Sequence, residues 1–221
     1  MQANYVQRLR LTLSKDGPAR YIGHLDLART MERSLNRAQV PIAYTQGFNR
    51  RPRLSFAAPL PLGYTSEYEL ADIWLLEEVD PHKIIGQIMS KMAPGITITA
   101  VEQVPLDAPS LQSVTASAVY DVMPFEKMNA EELSSRASRL LAEESLIRER
   151  KSGKGKVKQY NLRPLIIDIS TAVGPDGNGM LKMTLFLMEG KTGRPDEVLG
   201  ALELDPLASH IHRTLITLRD E

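Results

Sequence analysis

The chain of 221 residues contains no cysteine. Disulfides, a thiolate zinc site, an iron–sulfur cluster held by Cys and Cys nucleophilic catalysis are therefore all excluded. The same absence fits a reducing, cytosolic setting. Long hydrophobic runs are also missing: none approaches the roughly 18 residues of a membrane span, and the start MQANYVQRLRL has no apolar signal core. A cytoplasmic protein with no membrane partner is the expectation. Aromatic residues are few, at 5%, with a single Trp. The phosphate-cradling P-loop, GxGxxG and GxSxG are absent, and no cofactor is expected. Net charge is zero, which by itself argues against a generally basic nucleic-acid binder.

Ordinary globular proportions remain, with 43% hydrophobic and 24% charged residues. The length fits one large domain or two of about 100 residues each. The neutral total hides segregation. Residues 1–56 hold 10 Lys/Arg against 3 Asp/Glu, and residues 147–163 hold 7 against 1. These two basic islands lie in an acidic background, and such blocks create local fields.

Hydrophobic periodicity gives the element order. Val6 to Lys15 alternates as a strand, Lys15-Asp16-Gly17-Pro18 is a turn, and Arg20 to Gly23 reads as a short extended piece. His24 to Gln39 has helical spacing. Val40 to Thr45 reads as a second strand that Arg53 to Ala57 continues, and Glu67 to Glu78 as a third. Asp80-Pro81 starts a helix that Pro94-Gly95 ends, and Ile96 to Val104 is a fourth strand. This β-α-β-β-α-β order is the split βαβ, or ferredoxin-like, unit.

Pro105 to Ser110 reads as a linker, after which the order returns. Strand (Ser113–Met123), helix (Asn129–Glu144), short strand (Leu146–Arg150), hairpin strands (Leu165–Val173 and Met180–Glu189), helix (Pro195–Leu204) and strand (Ile211–Leu218) follow. The expected class is α+β, with tandem ferredoxin-like units at 1–105 and 111–221 carrying antiparallel sheets.

The first island combines Arg8, Arg10, Arg29, Arg33, Arg37, Arg50, Arg51 and Arg53 with Tyr21, Tyr44 and Phe48. Guanidinium forks suit phosphate and aromatic faces suit bases, which are the two requirements of a ferredoxin-like RNA binder. Lys154, Lys156 and Lys158, spaced by Gly in the second island, suit backbone contacts rather than base readout. Solvated charged helix faces are the bland alternative. His24 is the candidate general acid or base, while Asp26 reads as a cap or first-turn acid. His210 and His212 share one strand face, but two ligands make no metal site, and no metal is expected.

A linked set of signatures runs from Arg20 to Glu69: Arg20-Tyr21-Ile22-Gly23-His24-Leu25-Asp26-Leu27, Arg37-Ala38, Pro41, Tyr44-Thr45-Gln46-Gly47-Phe48-Asn49, Pro52, Ser55-Phe56-Ala57, Pro61-Leu62-Gly63 and Ser66-Glu67-Tyr68-Glu69. It resembles the bacterial radical-SAM-linked domain of unknown function. That family is typically fused to, or encoded beside, a B12-binding-type radical SAM protein, often near an RNase E/G-type ribonuclease. The resemblance implies a radical SAM partner encoded nearby; it names a context rather than a reaction. The family usually shows Asn-Pro-His-Pro after Gly-Phe, whereas Asn49-Arg50-Arg51-Pro52 stands here, so no role for a loop histidine carries over.

The expectation is an accessory protein that binds RNA or another polyanion. The rival is a metal-independent endoribonuclease that uses His24. Tandem ferredoxin-like units look like those of CRISPR RNA-processing endonucleases, whose glycine-rich loop would have to be Gly190-Lys191-Thr192-Gly193. That likeness is architectural only.

Overall fold

The computed structural model describes residues 5–151, 157–188 and 190–219. The chain divides into two units, Met1–Thr115 with Leu218–Glu221, and Ala116–Thr217.

In the first unit, strand β1 (Gln7–Lys15) leads through a 3-10 turn at Gly17–Tyr21 into helix α1 (His24–Arg37). Strands β2 (Leu54–Phe56) and β3 (Thr65–Leu75), helix α2 (Pro81–Met89) and strand β4 (Ile96–Val104) follow. The sheet order is β4-β1-β3-β2 with antiparallel neighbours, the ferredoxin-like arrangement. One sheet face carries Leu9, Leu11, Leu13, Ala71, Ile73 and Leu75. It packs in a single core with Leu27, Met31 and Leu35 of α1 and Ile84 and Ile88 of α2. Asp80 caps α2, accepting from the His82 N–H at 2.9 Å, with Pro81 at the first helical position.

The opposite face of β1 and β3 is polar yet buried. Registers Arg8↔Trp74 and Arg10↔Asp72 place these four side chains together. Asp72 is 0% exposed and Arg8 2%. The Asp72 carboxylate accepts from Arg8 Nε at 2.9 Å and Nη2 at 2.5 Å, and from Arg10 Nε at 2.9 Å. Arg8 also donates to the carbonyls of Ala108 (2.5 Å) and Pro109 (2.8 Å). The stretch that reads as a linker is thus tied back onto β1. After it comes the one-turn helix α3 (Leu111–Val114).

In the second unit, strand β5 (Thr115–Pro124) and helix α4 (Ala130–Ala142) precede the hairpin of β6 (Ile147–Lys151) and β7 (Val157–Asn161). Strands β8 (Ile166–Val173), β9 (Gly179–Met188) and β10 (Lys191–Thr192), helix α5 (Pro195–Ala201) and strand β11 (Ser209–Leu218) complete it. The order β11-β5-β9-β8 reproduces that of the first unit, with β10 also paired to β9. Both units are ferredoxin-like, and β6–β7 is an insertion between the first helix and the central hairpin. Asn129 caps α4 by accepting from the Glu132 N–H at 2.7 Å. Leu133, Ala137 and Leu140 of α4 are buried, as are Leu181, Met183 and Leu185 of β9.

Several local expectations differ from the structure. Val40 to Thr45 is not a strand: it makes only the isolated bridges Ile42↔Leu75 and Tyr44↔Pro52. Pro41 offers no N–H to a ladder, so the run lies beside β3 through the Ala43 N–H to Trp74 carbonyl bond (2.7 Å) and then leaves the sheet. Arg20 is helical rather than extended, because Pro18 opens a 3-10 turn. Helix α5 ends at Ala201, three residues before the expected end; Glu203, at φ 60°, has left the helical region.

Asp72→Ala leaves the buried Arg8 guanidinium, and the partly exposed Arg10 beside it, facing no carboxylate. The expected loss is about 3–5 kcal/mol, seen as a lower urea midpoint with the slope retained. Gly95 has φ +83°, and a Cβ there would lie 2.5 Å from the Asp16 carbonyl oxygen. Gly95→Ala is expected to cost at least about 1–3 kcal/mol from the backbone alone, measured the same way.

Candidate nucleic-acid interface

The exposed residues of α1 form a stripe. Leu25, Arg29, Arg33 and Asn36 are exposed and recur at the three- and four-residue spacing that aligns one helix face. Arg29 pairs with Asp26 at 3.3 Å in solvent, a contact worth little. Arg37, four residues after Arg33, is held instead by donating to the Lys91 carbonyl at 2.9 Å. Arg33 makes no side-chain hydrogen bond or ion pair with any described residue.

Beside the C-terminal end of α1 the chain forms a short arm. Tyr44 bridges Pro52, the Thr45 N–H donates to the Arg51 carbonyl (2.8 Å), and the Arg53 N–H donates to the Ala43 carbonyl (2.7 Å). The Arg51 N–H donates to Thr45 Oγ1 at 3.0 Å. The Tyr44 hydroxyl donates to Asn36 Oδ1 at 3.0 Å, joining the arm to the stripe. Gly47 turns the tip at φ +124°, a conformation for which glycine is the default. Phe48 at the tip is fully exposed, with 106% relative accessibility. Arg50 and Arg51 are exposed, and their side chains form no hydrogen bond or ion pair with any described residue.

Arg53 sits differently. Its guanidinium lies 4.5 Å from the Tyr5 ring centre and 4.7 Å from that of Trp74. Arg8 lies 5.0 Å from the same Trp74 ring. Arg53 therefore anchors the base of the arm through cation–π contacts. Arg8 and Arg10, counted in the first basic island, are engaged with Asp72. Charge pattern alone could not separate these inward arginines from the outward ones; strand alternation opposite Asp72 and Trp74 was the available signal.

His24 is the first residue of α1 and is half-buried, its ring edge-on to buried Phe56 at 5.4 Å between centroids. Asp26 caps nothing with its side chain and sits in the first turn, as an acid favoured by the helix dipole. His210 and His212 are neighbours, 6.3 Å between ring centres. Among the described residues no three His, Cys, Asp or Glu gather as a set able to hold a metal ion. No helix among the described residues is long and apolar enough to cross a membrane.

In the second island, Lys154 and Lys156 lie outside the described residues, and Lys158 is described only through its backbone, opposite Arg150 in the hairpin. Alternation puts Arg148, Arg150 and Tyr160 on one face of that hairpin. The Tyr160 hydroxyl donates to Glu197 Oε2. A cavity of about 240 Å³ is lined by Arg150, Tyr160, Leu165, Gly190 and Thr192. Burial pushes the Glu197 carboxyl above its ordinary range, against the opposing pull of Arg150 and Arg148. Tyr160 and Glu197 went unnoticed in the sequence because 37 residues separate them.

Fold and surface together define an α+β protein of two ferredoxin-like units, the first carrying an open arginine–aromatic face. The chain belongs to the bacterial family described as "Uncharacterized protein conserved in bacteria (DUF2344)", whose pattern matches residues 8–195. No curated protein matches it. Among solved structures, a chain of a Cbf5-Nop10-Gar1 complex is 8% identical, with a TM-score of 0.48. That match covers 96% of this chain, which spans half the length of the other. A putative glycine cleavage system transcriptional repressor is 11% identical at a TM-score of 0.25, covering 96% of this chain and 98% of its own. At these scores neither likeness bears on mechanism or ligand.

A carboxyl raised by burial disfavours the folded state once it must ionise. The Glu197 contribution is therefore fully favourable below the unfolded value near 4.5 and is lost as pH rises through the folded value. Stability relative to Glu197→Gln is expected to decline as pH is raised from below 4.5, followed by urea midpoints at successive pH values.

Proposed function

We propose that this protein is an accessory protein of a B12-binding-type radical SAM enzyme, holding RNA or another polyanion on the arginine face of its first unit. The observation that carries the binding part is the outward set of Arg33, Arg50 and Arg51, which no described carboxylate neutralises, beside exposed Tyr44 and Phe48. Unpaired guanidinium groups on an open surface suit phosphate, the ligand they grip bidentately. The partner part rests on the linked signatures of residues 20–69. These 221 residues hold no cysteine to ligate a cluster, so this reading places the cluster chemistry on the radical SAM protein.

His24 takes no catalytic role in this reading. Its ring lies edge-on to buried Phe56 at the base of α1, a placement that suits packing.

Titration with labelled RNA at low salt is expected to show binding that weakens steeply as salt rises. The variant Arg50→Ala with Arg51→Ala should bind less tightly, its salt slope reduced by about 0.7 for each phosphate of a single strand that is no longer neutralised. No binding at low salt, or an unchanged slope in the variant, overturns the polyanion reading. Cleavage of the RNA that disappears in His24→Ala would replace it with the nuclease reading. Affinity capture of the tagged protein is expected to recover the radical SAM enzyme after ribonuclease treatment.

A further inference from the structure

The same face supports a narrower statement, which rests on the polyanion reading above. The α1 stripe from Leu25 to Asn36 is roughly 16 Å long at 1.5 Å per residue. Exposed aromatic rings stand at both ends. At the N-terminal end is Tyr21, 72% exposed, with the Arg20 guanidinium 5.4 Å from its ring centre. At the C-terminal end are Tyr44, held to Asn36, and Phe48 at the arm tip. Arg29 and Arg33 lie between them.

We infer that this face is a track for single-stranded RNA, with Tyr21 and Phe48 as base-stacking platforms and Arg29, Arg33, Arg50 and Arg51 on the phosphates. Two physical arguments and one observation support the strand choice. A duplex conceals its base faces within the stack, so an exposed ring has nothing to stack on except at ends or loops. A wholly electrostatic surface for duplex backbone has no use for apolar rings, which are unfavourable in water. And the arm that carries Phe48 is tied by backbone hydrogen bonds, the Arg51–Thr45 bond and the Tyr44–Asn36 bond, so the ring is presented rather than left trailing. Stacking accepts every base, so little sequence preference is expected.

The test uses the full chain, a single-stranded RNA of about 12 nucleotides and an RNA duplex of about 12 base pairs, within the site sizes such tracks occupy, by fluorescence anisotropy at one salt concentration. Single-strand binding is expected to be tighter. Phe48→Ala and Tyr21→Ala should each weaken it roughly 5- to 150-fold, the range for losing one stacked base. The salt slope should stay unchanged, since no charge is removed, and Phe48→Trp should restore affinity. Both positions are surface-exposed, so unchanged circular dichroism is expected to accompany each loss.

Equal affinity for single strand and duplex, or alanine variants that bind single strands as the parent does, overturns the track while leaving the polyanion reading intact. Failure of both RNAs to bind at low salt overturns the two together.

Discussion

Asp72, itself buried, accepts hydrogen bonds from buried Arg8 and from partly exposed Arg10. Removing such charges from water is costly, and the pairing compensates only while the geometry holds. That condition fixes much around it. A one-residue slip of β1 against β3 would turn Arg8 and Arg10 towards the apolar helices and expose Leu9 and Leu11. The remaining Arg8 donors require the carbonyls of Ala108 and Pro109, so residues 105–110 follow the sheet instead of hanging free. Trp74, on the same face, takes Arg8 and Arg53 onto its ring. Through Arg53 the network reaches the base of the 44–52 arm. The placement of the outer surface thus depends on a buried ion pair.

The first basic island is consequently two populations. Arg8, Arg10 and Arg53 are engaged in the interior or on ring contacts, and Arg37 is held by a main-chain carbonyl. Arg33, Arg50 and Arg51 face outward without carboxylate partners among the described residues. This division reconciles a neutral chain with a local cationic face: the inward arginines serve the fold, and the outward ones supply the field. The second island follows different physics, since Tyr160 and Glu197 join the inserted hairpin to α5 and leave a small cavity beside Arg150.

The proposed accessory role rests on two features of the surface. Arg33, Arg50 and Arg51 are exposed on an open face, whereas the His24 ring packs edge-on against Phe56. Arg50 and Arg51 carry permanent charges, which suit holding an anion rather than moving a proton.

The sequence by itself determined the element order, because alternation and helical spacing are local consequences of which side chains can be buried. The Asp80-Pro81 and Asn129 helix starts and the repeat of the ferredoxin-like order were all legible in this way. It also located the stretch 20–69, where turn residues and arginines concentrate. Only the tertiary structure decided that Val40 to Thr45 leaves the sheet as an arm, since that outcome balances strand propensity against the missing Pro41 donor. Likewise it alone sorted the arginines. Arg10 and Arg33 are chemically identical, and which one meets Asp72 depends on a strand pairing 62 residues away in sequence. Charge is a property of the residue, but availability of charge is a property of the fold.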